Sequence, residues 1–190
     1  FRSFDIRVPL TQIKNLVTLS FVQWVEAIAP PNVIENLPGR TLHRVNILND
    51  GVRNLKGDNI NIGIWDGGQV STGHLDFSLA GRVTIVRAGA VSDHGTHVAG
   101  TITGKGLVNP NARGMAPNAR LFSWDFNANI QAEMATAIPG NNLLLSNHSY
   151  GFSFSGSCNL TNNLLAYESI SRNTYINLNN FPSHLHVHSA

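Results

Sequence analysis

Along most of the chain, segments in which apolar residues recur at every second position alternate with segments in which they recur at helical spacing. Residues 60–66, Ile-Asn-Ile-Gly-Ile-Trp-Asp, carry isoleucine at every second position, which predicts a β-strand that ends at Gly67 and Gly68. Further strands are predicted at 82–86, 120–124, 143–145 and 185–189. Helices are predicted between them at 95–104, 127–138 and 161–171. Apolar strands interleaved with helices are typical of a mostly parallel sheet covered on both faces, so the predicted fold class is α/β.

The first 45 residues have a different pattern of apolar and turn-forming residues. Residues 4–8 and 22–28 alternate like short strands, and the apolar residues between them follow helical spacing. Two consecutive prolines then lead into a turn-rich connector that is predicted to run to about Arg44. A β-α-β piece of this size buries little by itself and should dock on a larger body. We therefore divide the chain into an N-terminal extension, 1–45, and a main domain, 46–190.

Composition narrows the functional classes. The chain has 190 residues, of which 42 % are hydrophobic, yet no apolar run approaches the about 20 residues of a membrane-spanning helix. Lys and Arg are scattered singly, so neither nucleic acid nor a membrane is an expected partner despite the net charge of +2. The single cysteine, Cys158, excludes an internal disulfide. Only 13 % of residues are charged and 23 are asparagine, which favours a secreted, extracellular or periplasmic protein.

Two segments carry residues suited to proton transfer. Asp66 directly follows the strand 60–65, at the edge where the reactive groups of parallel α/β sheets gather. An aspartate that merely starts a Gly-Gly turn is the simpler alternative. His94 stands where a helix should begin. That helix contains small residues, of which the glycines lower helix propensity, and together they indicate a close neighbour in the fold: Gly95, Ala99, Gly100 and Gly104.

Histidine spacing suggests two candidate metal sites. His94 and His97 have H-x-x-H spacing, but the corresponding zinc motif needs a glutamate between its histidines, so no metal is expected there. His184, His186 and His188 would share one face of a strand, with neighbours about 6.6 Å apart. Two of them could share an ion, but no thiol or carboxylate lies near them in sequence. We therefore expect one or more of these histidines to be half-buried and hydrogen-bonded, and we predict no metal site.

Four short motifs occur in the order found in a known peptidase family. Residues 94–102, His-Gly-Thr-His-Val-Ala-Gly-Thr-Ile, resemble the histidine motif of subtilisin-like serine proteases, the subtilases. Residues 62–68, Ile-Gly-Ile-Trp-Asp-Gly-Gly, are similar to their aspartate motif. Residues 114–119 resemble the Gly-x-Ala-Pro-x-Ala turn, and residues 146–151 resemble the segment that pairs with substrate. The resemblance implies a three-layer sandwich around a mostly parallel sheet, truncated to the first part of a subtilase catalytic domain.

The resemblance implies a role for each motif. His94 would act as the general base, and Asp66 would accept a hydrogen bond from the far imidazole nitrogen and fix its tautomer. Ser149, Tyr150 and Gly151 would offer backbone groups to an extended peptide or protein substrate. No cofactor is implied for catalysis. Structural calcium is common among subtilases, but no oxygen-rich cluster of calcium ligands can be recognised in this sequence.

Two parts that a subtilase needs do not occur in the sequence. No Gly-Thr-Ser or Gly-x-Ser-x-Gly string is present, and the strand 185–189 leads to Ala190, where the family continues into its oxyanion-hole asparagine. We expect the nucleophilic serine and that asparagine beyond Ala190, or on a separate chain that carries the rest of the catalytic domain. The 190-residue chain alone should then be inactive. Residues 1–45 would be the end of a propeptide domain, or an ordinary extension.

The alternative to a protease is a non-catalytic peptide-binding or scaffold domain of subtilase ancestry. The missing serine supports it, as does Gly67, where the family more often has Thr or Ser. Against it, a domain without catalysis has no physical need to keep small residues beside His94. A dinucleotide-binding domain is excluded because the first strand is not followed by G-x-G-x-x-G.

Overall fold

The computed structural model describes four stretches of the chain: residues 6–25, 36–78, 81–151 and 169–189. The chain forms two compact units, Phe1–Val33 and Ile34–Ala190. The functional boundary predicted at residue 45 stays a prediction. Cys158 and most of the helix predicted at 161–171 lie outside the described residues.

The smaller unit contains a helix but no strand in its described part. A 3-10 turn at Leu10–Gln12 leads into α1, Ile13–Val17, at the centre of the predicted helical stretch. Residues 6–8 and 22–25 are not strands, and the other residues of both predicted strands lie outside the described part. Alternation alone does not make a strand, because a strand needs a neighbour to complete its hydrogen bonds.

Helix α2, Asn36–Leu42, occupies the end of the predicted connector, so the prediction of a turn-rich stretch is wrong there. A second short helix, α3, follows at Val45–Asp50. Pro38 is tolerated because it lies in the first turn, where its missing N–H would have no partner within the helix. Buried Arg40 joins the two helices, since its Nη2 donates to Oδ1 of buried Asn49 over 3.0 Å. This tertiary contact overrides the local turn signals.

A five-stranded parallel sheet forms the centre of the larger unit. β1, Asn61–Asp66, pairs with β3, Arg120–Asp125, on one side and with β4, Leu145–His148, on the other. β2, Val83–Arg87, lies outside β3, and β5, Leu185–His188, lies outside β4. The described strands are therefore ordered β2-β3-β1-β4-β5. The predicted α/β class with a mostly parallel sheet is confirmed.

Helices cover both faces of this sheet and complete three layers. The remaining helices are α4, Leu75–Ser78; α5, Asp93–Thr103; α6, Ile130–Gly140; and α7, Ser169–Asn180. Ile62 and Ile64 of β1 pack with Ala99 of α5 in one apolar cluster. Trp65 points to the opposite face and packs with Met134 of α6 in a second cluster.

The two layers of helices require crossovers of opposite hand. Helix α5 connects β2 to β3, and helix α6 connects β3 to β4. Both connections advance in the same direction across the sheet, but the two helices lie on opposite faces. The crossover through α7 advances the same way and packs with α6, so it shares the hand of α6. Because about 98 % of parallel crossovers are right-handed, α5 is assigned the left-handed one. The packing of Ala99 against Ile62 and Ile64 shows that α5 covers the face that these residues share with Asp66.

Gly114 lets the chain return directly against the end of α5. Its amide donates to the carbonyl of Gly104, and the next two amides donate to the carbonyls of Thr101 and Ile102. A Cβ atom on Gly114 would lie 2.7 Å from the carbonyl oxygen of Gly100. The close approach that the small residues predicted is therefore found at the end of the helix. Gly100 itself faces open space, with nothing within 4 Å of its Cβ position.

The close approach at Gly114 predicts opposite effects of two alanine substitutions. Gly114→Ala should lower the free energy of unfolding by about 1–3 kcal/mol, because the new methyl group overlaps backbone that cannot easily move. The matched control Gly100→Ala should raise it by about 0.5–1 kcal/mol through helix propensity. Urea unfolding followed by circular dichroism measures both. Equal stability of Gly114→Ala and the wild type would show that the backbones do not meet in this way.

Candidate active site

Asp66 and His94 meet at the carboxyl edge of the sheet. Asp66 ends β1, and its side chain is only 3 % exposed. His94 lies in the first turn of α5, with Nδ1 2.9 Å from Oδ1 and 3.0 Å from Oδ2 of Asp66. Since an ionised carboxylate can only accept, His94 carries a proton on Nδ1 and its Nε2 is left to accept one. The ring is 62 % exposed, so a reactant can reach it.

The start of α5 is held at a fixed place, and this sets the position of His94. Ser92 is the N-cap, with Oγ accepting from the amide of Gly95 over 2.9 Å. Thr96 donates its amide and its hydroxyl to the carbonyl of Ser92. The same Thr96 hydroxyl oxygen accepts from the amide of Ser71, which fixes the helix start to the loop after β1.

Gly95 makes room for the carboxylate of Asp66. A Cβ atom on Gly95 would lie 3.2 Å from Oδ1 and 3.3 Å from Cγ of Asp66, closer than most real contacts of this kind. On its other side the carboxylate accepts from the amide of Gly67, 2.8 Å from Oδ1. The close neighbour predicted for Gly95 is thus the side chain of Asp66. The buried charge has two donors, the imidazole and a backbone amide.

Ser149, Tyr150 and Gly151 follow β4 at the same edge of the sheet. β4 is adjacent to β1, and His148 is paired with Trp65, so the segment continues beside Asp66. The carbonyl of Tyr150 accepts from Oγ of Ser189 over 3.0 Å. Among the residues that the structure describes, none lies within 4 Å of the Cβ position of Gly151. The structure therefore brings all the predicted site residues to one edge of the sheet.

A chain of polar side chains below this segment was missed by the sequence reasoning. The Tyr150 hydroxyl is 2.8 Å from Nδ1 of His148, and Nε2 of His148 is 2.9 Å from Oγ of Ser146. The Ser146 hydroxyl is 2.9 Å from Nε2 of His184, and Nδ1 of His184 is 3.0 Å from the carbonyl of Leu143. The available signal was the alternation at positions 146, 148 and 150, which puts polar side chains on one strand face.

Burial keeps the two central histidines neutral. It lowers the pKa of His148 to about 2, with further lowering by His186, His188 and His184. It likewise lowers the pKa of His186 to about 4, helped by the neighbouring histidines. Burial, and then the charge of Asp66, raise the pKa of Tyr150. Within the described residues, no group of three or more His, Cys, Asp or Glu side chains is placed to hold a metal ion.

Comparison with protein families decides the identity. The model of the subtilase family matches residues 57–181. The chain belongs to the subtilase family. The matched region includes Asp66, His94 and the segment 149–151 of this subtilase. A comparison with curated proteins finds no significant match.

Replacing Asp66 should change the proton position on the His94 ring of this subtilase. In Asp66→Asn the amide can donate as well as accept, so the Nδ1-protonated tautomer is no longer enforced. Nitrogen-15 NMR of the ring should show Nδ1 protonated in the wild-type chain and the other tautomer gaining population in the variant. Asp93→Asn, next to the same histidine, is the control and should leave the tautomer unchanged. An unaltered tautomer in Asp66→Asn would contradict the contact.

Neutral His148 should make the folded chain sensitive to acid. Its pKa is 6.5 ordinarily and about 2 in the fold, so between these values the unfolded state binds the proton. Stability therefore falls as pH drops below 6.5, and His148 alone should remove about 2 kcal/mol between pH 7 and pH 5. In His148→Gln, the difference in the free energy of unfolding between pH 7 and pH 5, measured by urea unfolding, should be smaller by about 2 kcal/mol. His186→Gln should also reduce it, and identical pH slopes in all three chains would rule out buried neutral histidines.

Proposed function

We propose that this chain supplies the aspartate and the histidine of an Asp-His-Ser triad in a serine endopeptidase. The observation that carries the proposal is the pairing of buried Asp66 with Nδ1 of His94 over 2.9 Å. Membership of the subtilase family supports serine peptidase chemistry in general. The serine and the oxyanion-hole asparagine would come from polypeptide beyond Ala190 or from a separate chain, since the sequence contains no Gly-Thr-Ser string.

The geometry suits general base catalysis. Nε2 of His94 would take the proton from the serine hydroxyl as its oxygen bonds to the carbonyl carbon of the scissile peptide. The imidazolium so formed is stabilised by Asp66, whose buried position strengthens the charge interaction. His94 then gives the proton to the leaving amine as the peptide bond breaks, and water hydrolyses the acyl-enzyme in a second pass through the same groups. Protein groups alone supply this proton transfer, and no cofactor takes part in it.

The substrate in this proposal is an extended peptide or protein segment. It would pair with the backbone of residues 149–151 as an added strand, which lets main-chain hydrogen bonds hold many different sequences. Two observations support this: the segment continues a strand next to β1, and no described residue lies within 4 Å of the Cβ position of Gly151. A peptide in that position would extend along the edge at which Asp66 and His94 meet.

A secreted, extracellular or periplasmic location fits this function. The low charged fraction of 13 % and the 23 asparagines support the proposal, as does family membership. None of the helices in the described residues is long and apolar enough to cross a membrane. Residues 1–45 would act as a propeptide or as a plain extension.

A non-catalytic peptide-binding domain is the second candidate, and the missing serine is the observation that favours it. Peptide binding along residues 149–151 would not need a buried carboxylate hydrogen-bonded to an imidazole. The Asp66–His94 pair is therefore the feature that separates the two functions.

Labelling by a fluorophosphonate probe tests the proposed function. The isolated 190-residue chain should show no stoichiometric labelling. The proposed nucleophilic serine is not part of it, and a serine that no base activates stays unreactive. The complete gene product that contains these residues should be labelled at one serine outside them. His94→Ala in that product is the matched control and should abolish labelling. Stoichiometric labelling of the isolated chain, for example at Ser149, or an unlabelled complete product, would overturn the proposal.

A further inference from the structure

When His148 and His184 are both neutral, the hydrogen bonds that lie under residues 149–151 can run in only one direction, and the carbonyl of Leu143 sets it. The carbonyl of Leu143 can only accept, so His184 must carry its proton on Nδ1. Nε2 of the neutral ring is then an acceptor, and it receives the hydroxyl proton of Ser146. This first half of the chain lies in the interior, with Ser146 fully buried and His184 7 % exposed.

The same reasoning fixes the second half. Having given its only proton to His184, Ser146 must accept from Nε2 of His148. Nδ1 of His148 is then an acceptor, so the Tyr150 hydroxyl must donate to it. Every donor has one acceptor from Tyr150 down to Leu143, and no alternative tautomer satisfies all four contacts. We call these five residues the relay: Leu143, Ser146, His148, Tyr150 and His184.

The surroundings of His148 keep the relay in this state. His148 is fully buried, and both ring nitrogens are engaged. Its ring stacks on Trp65 with centroids 5.2 Å apart and an interplanar angle of 10°, and the His186 ring lies 4.0 Å away. Burial and the neighbouring histidines lower the pKa of His148, and burial raises the pKa of Tyr150. A neutral ring and a protonated phenol are what the geometry requires.

Tyr150 connects the relay to the backbone at the edge of the sheet. Its ring contacts Phe126 edge-on with centroids 4.9 Å apart and lies 5.3 Å from the His188 ring. Its carbonyl accepts from Oγ of Ser189, whose amide donates to the carbonyl of His148. The hydroxyl contact with His148 and the carbonyl contact with Ser189 therefore act on the same residue, and together they hold the backbone at position 150.

We infer that Tyr150 is a positioning residue, held by the relay so that the backbone of residues 149–151 is aligned for an extended peptide substrate. This inference rests on the proposed function, because it names what orients the peptide-pairing segment of that same site. Strand addition needs backbone donors and acceptors at fixed spacing, and a segment ordered beforehand loses less conformational entropy when peptide binds. The relay supplies that order from inside the sheet.

The tautomers are the first test. Nitrogen-15 NMR of the 190-residue chain at pH 8 should show His148 protonated on Nε2 only and His184 protonated on Nδ1 only. In Tyr150→Phe the acceptor on His148 loses its donor, so its Nδ1 resonance should shift towards that of a free imidazole nitrogen. Tyr175→Phe, an exposed tyrosine on α7, is the matched control and should leave both rings unchanged. Either ring in the opposite tautomer, or a cationic His148, would overturn the relay.

The second test separates positioning from a purely structural role. Backbone nitrogen-15 order parameters at residues 149–151 should fall in Tyr150→Phe and stay unchanged in Tyr175→Phe, because the relay no longer restrains the segment. In the complete gene product, Tyr150→Phe should raise KM for a peptidyl p-nitroanilide about tenfold with a much smaller change in kcat. Ser146→Ala, which removes the hydroxyl between His148 and His184, should also raise KM. An unchanged KM in both variants would overturn the positioning role.

The two proposals fail in different ways. If the complete gene product is neither labelled by fluorophosphonate nor active on peptides, the proposed function fails, and with it the role of Tyr150 towards substrate. The NMR measurements of tautomers and order parameters need no activity, so they still decide whether the relay orders residues 149–151. If the gene product is active but the tautomers differ from those given, only the relay is wrong.

Discussion

The hydrogen bond between Nδ1 of His94 and the carboxylate of Asp66 is the interaction on which the site depends, and the fold is arranged around it. The carboxylate is buried, so it needs donors, and these come from the imidazole and the amide of Gly67. The left-handed crossover places α5 on the face that Asp66 shares with Ile62 and Ile64. On the opposite face His94 would lie beside Trp65 and could not reach Asp66.

The other face of the same sheet supports a second task. There the polar side chains of β4 are buried and form an ordered chain of hydrogen bonds between Tyr150 and the backbone of Leu143. A fully satisfied polar network is rigid, whereas a partly satisfied one is costly. One face thus positions the proposed catalytic pair and the other positions the segment proposed to hold substrate, and the two meet where β1 and β4 end.

The sequence predicted Asp66 and His94 because each stands at an element boundary that local patterns reveal: the end of an alternating apolar strand and the start of a helix. It could not predict the hand of the crossover, which leaves no trace in hydrophobic periodicity. It also misplaced β4, because the run 143–145 is apolar whereas the strand itself, Leu145–His148, contains polar residues. Those residues are buried because they bond to one another, a property of pairs of residues that a one-dimensional pattern does not show.

The central claim is that Asp66 acts only through His94. The most direct measurement is a double-mutant cycle on peptide hydrolysis by the complete gene product, with Asp66→Asn, His94→Ala and the double variant. If the two residues work as one unit, the double variant should be no slower than His94→Ala alone, because Asp66 has no function without the imidazole. Losses that multiply in the double variant, or full activity in either single variant, would contradict the account.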